Sequence, residues 1–295
     1  MTRGERQDLL KGLMFISPWI IGFAVFTALP VYLSFQYSLS DYTLLQPPVY
    51  EGLSNYRDLA HDPVFWKTLE NTLYYAAAAL PLAMVISIGL ALLLNAKIKG
   101  QSIYRTIIFL PSLVPMVASA ILWQWIFNTR LGLINFSFAK IGINGPDWLG
   151  DARWVMPALI LMSFWGVGNT VVIYLAGLQD VPRELYEAAD IDGAGPWRRL
   201  WNVTLPMISP VIFFNLIMAI IGTLQVFGVP FVLFAGGSGP ERSAYFYTMY
   251  LYDNAFVNLK MGYASAMAWI QLLIILGLTA LAFWSSKRWV HYQGK

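Results

Sequence analysis

Residues 179–206 read QDVPRELYEAADIDGAGPWRRLWNVTLP, and this stretch decides how the chain is interpreted. Pro182 suits the start of a helix, because the first turn makes no intrahelical use of the N–H that proline lacks. Glu184 brings negative charge to the positive end of that helix. Gly193 and Gly195 then interrupt it, and a second short helix follows. The stretch is therefore predicted to form a helix–turn–helix whose small corner residues permit close approach of a partner.

Long apolar segments lie on both sides of this stretch. The 295 residues are 58% hydrophobic and 12% charged, against about 25% charged residues in soluble domains. A bilayer core about 30 Å thick needs roughly 20 apolar residues in a helix. Six stretches without an internal charge meet that need: Leu13–Leu39, Asn71–Ala96, Thr106–Phe127, Trp154–Ala176, Met207–Ala235 and Gly262–Trp284. The sequence predicts an all-α polytopic membrane protein, with residues 1–295 forming one transmembrane domain.

The distribution of Lys and Arg predicts the orientation of these spans. With a cytoplasmic N-terminus, twelve cations fall on the inside: Arg3, Arg6, Lys11, Lys97, Lys99, Arg105, Arg183, Arg198, Arg199, Lys287, Arg288 and Lys295. Seven fall on the outside: Arg57, Lys67, Arg130, Lys140, Arg153, Arg242 and Lys260. Cytoplasmic loops carry the excess of positive charge, so both termini are expected to be cytoplasmic.

Several kinds of chemistry have no residues to support them. The chain has no cysteine, which excludes disulfides and thiol chemistry. His61 and His291 are far apart in sequence and have no metal-ligand spacing. No glycine-rich loop ending in Lys-Ser or Lys-Thr is present to hold ATP phosphates. No catalytic, metal or cofactor site is therefore expected in this chain.

The loop resembles a known motif. It is similar to the EAA motif of ABC-importer permease subunits through three short runs: Glu187-Ala188-Ala189, Asp192-Gly193-Ala194 and Thr204-Leu205-Pro206. Leu200 stands where the motif usually has an aromatic residue, and Val203 where it usually has Ile. The resemblance implies that residues 183–205 form a cytoplasmic coupling helix that docks in a groove of the ATPase subunit. The contacts with the ATPase would come from Glu187, Ala188, Ala189, Asp192, Gly193, Ala194, Leu205 and Pro206.

The resemblance extends over almost the whole chain. Residues 127–135, 146–149, 18–19 and 35–40 are similar to the carbohydrate branch of these permeases, which includes lactose, glycerol-3-phosphate and multiple-sugar permeases and relatives of the maltose permease. This implies the type I ABC importer permease fold in the plasma (inner) membrane of a bacterium or archaeon. The implied partners are a second homologous permease subunit, two ATPase subunits that bind ATP and Mg, and an extracytoplasmic solute-binding protein.

Six residues at mid-membrane depth are candidates for contact with a sugar. Sugars present hydroxyl groups and apolar ring faces, so their sites combine amide or hydroxyl groups with aromatic planes. The candidates are Trp165, Asn169, Gln225, Phe227, Ser265 and Trp269. Hydrogen bonding and packing between helices is the competing interpretation for each. The aromatic segment 244–261 is too polar to span and is expected to lie along the outer surface, and most tryptophans near span ends are expected to form an interfacial belt.

Other kinds of membrane protein remain as alternatives. A secondary, ion-coupled transporter of a small polar solute usually carries charged residues within its spans and often internal repeats. Neither feature is evident in this sequence. An intramembrane enzyme needs a catalytic constellation that the spans lack, and no feature favours a channel. Co-purification with an ATPase subunit separates the importer from these alternatives.

Overall fold

The computed structural model describes residues 3–96 and 99–291, which are mostly helical. Lys97 and Lys295, two of the cations counted for orientation, lie outside the described residues. The helices before residue 180 are α1 Arg3–Phe23, α2 Leu29–Ser38, α3 Ser54–His61, α4 Pro63–Asn95, α5 Gln101–Phe109, α6 Met116–Ile126, α7 Leu133–Lys140, α8 Ala152–Ser163 and α9 Gly168–Gln179. The later helices are α10 Arg183–Ile191, α11 Pro196–Arg199, α12 Leu205–Met207, α13 Ser209–Leu224, α14 Gly228–Leu233, α15 Tyr247–Tyr252 and α16 Met261–Ser286.

Four helical segments are long and apolar enough to cross a membrane: Lys11–Ser38, Pro63–Asn95, Ser209–Leu233 and Met261–Ser286. Two further pairs of helices meet the same criteria only when taken together: Gln101–Leu113 with Met116–Ile126, and Ala152–Gly166 with Gly168–Gln179. The pairs are bent by 100° and 50°, respectively. Six spans result when each bent pair is counted as one. The chain is thus an all-α polytopic membrane protein.

The sharper bend has a local cause in two prolines. Val114 is extended, with ψ near 127°, because the ring of Pro115 disfavours the α conformation in the residue before it. Pro111 has no N–H to continue the helical hydrogen bonds and lies in the 3₁₀ turn that ends α5. The expected span Thr106–Phe127 is therefore two helices and a turn rather than one helix.

The described residues form two compact units. The first comprises the described part of residues 1–62 together with Leu251–Leu272. It contains the antiparallel pair β1 (Ser40–Asp41) and β2 (Val49–Tyr50), in which Ser40 is opposite Tyr50. In this unit Tyr263 donates a 2.6 Å hydrogen bond to the carboxylate of Asp62. Gly262 lies against the carbonyl of Ser40, where a side chain would clash.

The second unit comprises Pro63–Tyr250 and the described residues from Leu273 onward. Two groups of buried apolar side chains form its core. The larger group includes Ala120, Val155, Ala158, Leu159 and Phe246. The smaller group includes Ala91, Val171, Tyr174, Leu178 and Ile208. Helix α4 contributes to both groups and packs along α9 and α13, so it is the central helix of this unit.

The first part of the aromatic segment expected on the outer surface is instead buried. Phe246, Tyr247 and Met249 are at most 1% exposed, whereas Phe256 and Val257 later in the segment are 58% and 67% exposed. The side chain of Asn71 on α4 donates to the carbonyl of Tyr245 at 2.9 Å, and Thr72 accepts from the backbone N–H of Tyr247 at 2.9 Å. For residues 244–249 the expectation was wrong, because these polar groups satisfy the backbone inside the second unit.

Two of the tryptophans expected in an interfacial belt are also buried. Trp123 and Trp148 are each 8% exposed. The indole N–H of Trp148 donates to the Asn135 carboxamide at 2.8 Å, and the amide of Asn135 donates to the carbonyls of Thr129 and Pro146. These residues hold the loop around α7 together, so their pattern reflects packing within the chain and not a position at the lipid headgroups.

Candidate functional site

The loop between α9 and α13 forms the predicted helix–turn–helix. Helix α10 ends at a turn in which Gly193 adopts a left-handed conformation, with φ +69°. The N–H of Gly193 donates to the carbonyl of Asp190 at 3.1 Å, and the N–H of Ala194 donates to that of Ala189 at 2.8 Å. This is the Schellman pattern that ends helices at a glycine. The left-handed conformation costs other L-residues roughly 1–2 kcal/mol, so the turn selects glycine at position 193.

Contacts within the loop hold its two halves together. The hydroxyl of Tyr186 on α10 lies 3.1 Å from the hydroxyl of Thr204, which is buried. Arg199 donates to the carboxylate of Asp190 at 2.5 Å. A π-helical turn, Leu200–Thr204, then leads directly into α12. The corner is therefore a preformed element that continues through Leu205 and Pro206 towards α13.

The other side of the loop is exposed and partly apolar. Ile191 is 87% exposed, Trp197 is 75% exposed and Trp201 is 64% exposed. Glu187, Ala188 and Asp192 are exposed on the same loop, whereas Ala189 is buried. Large exposed apolar side chains mark a surface for interaction with another protein or with a membrane.

Glu187 does not cap its helix. Pro182 is the N-cap residue of α10, and Glu184 is the acidic residue of its first turn. Glu187 lies one turn further along, and its carboxylate forms no ion pair within the described residues. The carboxylate is therefore available to a group outside the chain.

Four of the six residues selected for substrate contact line one cavity in the second unit. They are Trp165, Asn169, Gln225 and Phe227, and the cavity has a volume of about 480 Å³. None of the residues that line it is charged. Asn169 and Gln225 are both exposed, so their carboxamides are free to meet a solute. The cavity offers amide groups beside aromatic rings, which is the combination expected for a neutral polyhydroxylated ligand.

Interruptions in three of the spans lie at this cavity. They are the turn around Ser112 and Val114, the 3₁₀ turn that contains Trp165, and the break at Gln225–Phe227 between α13 and α14. Non-helical backbone at membrane depth is tolerated where it is buried in protein or lines a cavity. Gly228 makes close contact with the thioether of Met116 and leaves no room for a side chain, so α14 begins directly against α6.

Other residues of the cavity were not identified from the sequence. Tyr75 reaches it from α4, forms a hydrogen bond with Ser163 and packs edge-to-face on Phe246 with ring centroids 5.4 Å apart. Ser112 and Ser119 also line it. One signal could have identified Ser112 and Ser119, namely serine beside the proline-broken end of a span.

The remaining two candidates lie in the first unit. The indole N–H of Trp269 donates to the hydroxyl of Ser34 at 3.2 Å, and its ring packs edge-to-face on Phe35 at 5.1 Å. Ser265 is 8% exposed. Neither lines the cavity described above. Trp269 therefore has the role given by the competing interpretation, which was packing and hydrogen bonding between helices.

Comparison with known proteins gives a consistent result. The family model described as "Binding-protein-dependent transport system inner membrane component" matches residues 70–291. The probable ABC transporter permease protein YesP of Bacillus subtilis (strain 168) is 39% identical over 297 residues, covering 100% of this chain and 96% of that protein. The lactose transport system permease protein LacF of Rhizobium radiobacter is 33% identical over 292 residues, covering 96% of each.

A solved structure has the same fold. It is the crystal structure of a bacterial alginate ABC transporter in complex with an alginate pentasaccharide-bound periplasmic protein, which matches with a TM-score of 0.82 and 24% sequence identity over 96% of each chain. At this identity the likeness establishes the fold alone. Together with the family model and the two relatives, it shows that this chain is an ABC transporter permease and belongs to the binding-protein-dependent transport system inner membrane components.

Proposed function

We propose that this permease imports a sugar or sugar derivative and forms half of the translocation pathway. The observation that carries the proposal is the uncharged cavity lined by Trp165, Asn169, Gln225 and Phe227. Carboxamides donate to and accept from hydroxyl groups, and aromatic faces pack against the apolar faces of sugar rings. The similarity to a lactose permease supports the same class of solute. The absence of a charged side chain in the lining favours neutral sugars.

The loop 183–205 would couple this pathway to ATP hydrolysis by partner subunits. Its exposed side would dock on an ATPase subunit, and its continuation through Leu205 and Pro206 would transmit the movement to α13. ATP and Mg would be held by two such subunits, and a second homologous permease would complete the pathway. An extracytoplasmic binding protein would deliver the sugar from the opposite side. Import would then proceed by alternating access, in which each ligand favours one state of the complex.

The direction of import requires the loop and both termini to be cytoplasmic. Single cysteines test this in a chain that has none of its own. A cysteine at Leu131, which is 89% exposed, should react with an impermeant thiol reagent added outside. A cysteine at Ile191, which is 87% exposed, should react only after the membrane is opened. The reverse result would contradict the orientation.

The function is tested by reconstituting the chain with its partner subunits and binding protein in proteoliposomes. ATP hydrolysis is measured with a panel of neutral and acidic sugars, and uptake of the stimulating sugar is followed with ATP and with an imposed ion gradient. We expect stimulation of hydrolysis by a small set of sugars and uptake that requires ATP. Uptake driven by the ion gradient without ATP would instead support the ion-coupled alternative.

A further inference from the structure

A cationic side chain without a partner lies near the same end of the spans as the loop 183–205. Arg105 is on α5, and its Nε atom is buried without a hydrogen-bond partner in the part of the chain that the structure describes. No ion pair involving Arg105 is formed within the described residues. Arg105 is half-buried, so solvent satisfies its charge only in part, and its buried N–H lacks an acceptor within the described residues. The position therefore suits an anion from outside the chain.

The surroundings of Arg105 form a crevice of about 200 Å³ between α5 and α9. The helices meet at Gly168, where an added Cβ would lie 2.7 Å from the carbonyl of Ile108. The crevice extends from there towards Arg105 and Gln179, which are the polar residues of its lining. Seven further lining residues are apolar: Leu94, Ile108, Phe109, Val171, Val172, Leu175 and Ala176.

We propose that this crevice binds an anionic phospholipid, with the headgroup phosphate at Arg105 and part of an acyl chain along the apolar walls. Guanidinium groups match the geometry of phosphate oxygens and form charge-assisted hydrogen bonds with them. Basic pockets between membrane helices on the cytoplasmic side are suited to anionic headgroups. The proposal takes the cytoplasmic position of this crevice from the proposed orientation, and it does not depend on the identity of the sugar.

The shape and surface of the crevice favour a lipid over a small anion or a protein carboxylate. A volume of about 200 Å³ is below the roughly 300–1,000 Å³ of sites that enclose a whole small molecule. A crevice of this size fits a segment of an acyl chain better. Val172 in the lining is 47% exposed, and Ile103 and Ile107 on α5 are 63% and 60% exposed. The surface beside Arg105 is thus apolar and open, as lipid contact requires.

The test measures phospholipid bound to the purified complex. The complex is equilibrated with equal amounts of phosphatidylglycerol and phosphatidylcholine, and the retained lipids are quantified by mass spectrometry. We expect Arg105→Ala to lower the ratio of retained phosphatidylglycerol to phosphatidylcholine by about fivefold, and Arg105→Lys to preserve most of it. Lys99→Ala removes a cation near the same end of the spans without altering the crevice lining and should leave the ratio unchanged.

Two further experiments distinguish a phospholipid from free phosphate as the source of the anion. Val172→Trp should reduce lipid retention by filling the apolar part while leaving Arg105 in place. Inorganic phosphate at millimolar concentration should not displace the lipid. An unchanged ratio in Arg105→Ala would overturn the proposal, as would unchanged lipid retention in Val172→Trp or displacement of the lipid by phosphate alone. A chemical cross-link from a carboxylate of a partner subunit to Arg105→Lys would overturn it in favour of a protein ion pair. Sugar transport is measured separately, so its failure would not be confused with loss of lipid.

Discussion

The loop 183–205 and the cavity around Asn169 both lie where helices are interrupted, but they are built in opposite ways. The loop presents large apolar side chains to the outside and satisfies its own turn through Gly193 and the Tyr186–Thr204 contact. The cavity gathers carboxamides and aromatic rings from breaks in three separate spans. The loop is suited to a protein surface and the cavity to a small polar solute. A change in either region should therefore impair import by a different route.

The largest effect is expected from Gly193→Trp. The substitution forces a bulky L-residue into a left-handed turn at a cost of roughly 1–2 kcal/mol, and it adds volume at the proposed docking surface. Apart from its neighbours in sequence, no atom of the described residues lies within 4 Å of the position that a Cβ would occupy at Gly193. The added bulk should therefore meet the partner and not the chain itself. We expect at least about a tenfold loss of transport, with ATPase subunits lost from the purified complex.

Two control variants separate the effect of backbone strain from that of added side-chain volume. They are Gly193→Asn and Gly195→Trp. Asparagine tolerates the left-handed conformation better than other non-glycine residues, so Gly193→Asn should retain most of the transport. Gly195 has φ near −66° and open space around it, so Gly195→Trp adds the same bulk without backbone strain. Normal transport and normal ATPase association in Gly193→Trp would show that this corner is not the coupling element.

Removal of a carboxamide from the cavity is expected to have the next largest effect. Asn169→Ala or Gln225→Ala leaves a sugar hydroxyl without its partner, at a cost of about 1–3 kcal/mol. The apparent affinity for sugar should fall by roughly 5- to 100-fold, while complex assembly and basal ATP hydrolysis remain normal. Sugar-stimulated hydrolysis as a function of sugar concentration provides the measurement.

Gln124→Ala is the matched control for these two variants. The carboxamide of Gln124 donates to the carbonyl of Leu233 at 2.8 Å and does not line the cavity. Its loss should lower the stability of the complex without changing the apparent affinity for sugar. Equal affinities in Asn169→Ala, Gln225→Ala and the unmodified chain would leave only structural roles for the two carboxamides.

The loop and the cavity also differ in how far they could be predicted from the sequence. The signals for the loop are local, because Gly193 ends α10 with contacts inside the six-residue segment 189–194. Its backbone conformation was therefore predicted correctly. Trp165, Asn169, Gln225 and Phe227 were selected for their chemistry, and the structure places them together. Trp269 has similar chemistry, but its partner Ser34 is 235 residues away in sequence, so no local pattern separates it from the others.

The burial of residues 244–249 shows more clearly what cannot be predicted from local sequence. The segment appears too polar for the interior when its sequence is considered alone. Asn71 and Thr72 form hydrogen bonds with Tyr245 and Tyr247 from 174 and 175 residues away, respectively. A prediction from composition does not include such long-range partners. The expected spans 106–127 and 154–176 likewise did not include the bend before Pro115 or the 3₁₀ turn that contains Trp165, although both bring backbone and side chains to the cavity.

A smaller effect is expected from Glu187→Lys, which tests the charge on the exposed side of the loop. Reversal of one exposed charge at the rim of an interface acts mainly on the association rate, so we expect a few-fold reduction in ATPase association that diminishes at high salt. Glu184→Lys makes the same charge change one turn earlier on α10 and should have less influence on association. Equal effects of the two variants would indicate a general electrostatic response and not a contact at Glu187.

The smallest effect is expected from Asp190→Asn, which removes the ion pair with Arg199. The Asp190 side chain is 59% exposed and the Arg199 side chain 31% exposed, so solvent screens much of the attraction. Pairs of this kind contribute about 0–1 kcal/mol. Transport should remain within about fivefold of that of the unmodified chain. A complete loss would show that this ion pair, rather than the turn at Gly193, maintains the loop.

If the loop 183–205 contacts the ATPase, site-specific cross-linking should join the two. Ile191→Cys and Leu131→Cys place thiols at residues that are 87% and 89% exposed, respectively, so accessibility is matched. A short thiol-to-amine cross-linker is applied to the assembled complex, and the products are identified by mass spectrometry. We predict a product joining position 191 to an ATPase subunit and none joining position 131 to it. An ATPase product from position 131, or none from position 191 in a complex that retains its ATPase, would contradict the assignment of residues 183–205 as the coupling element.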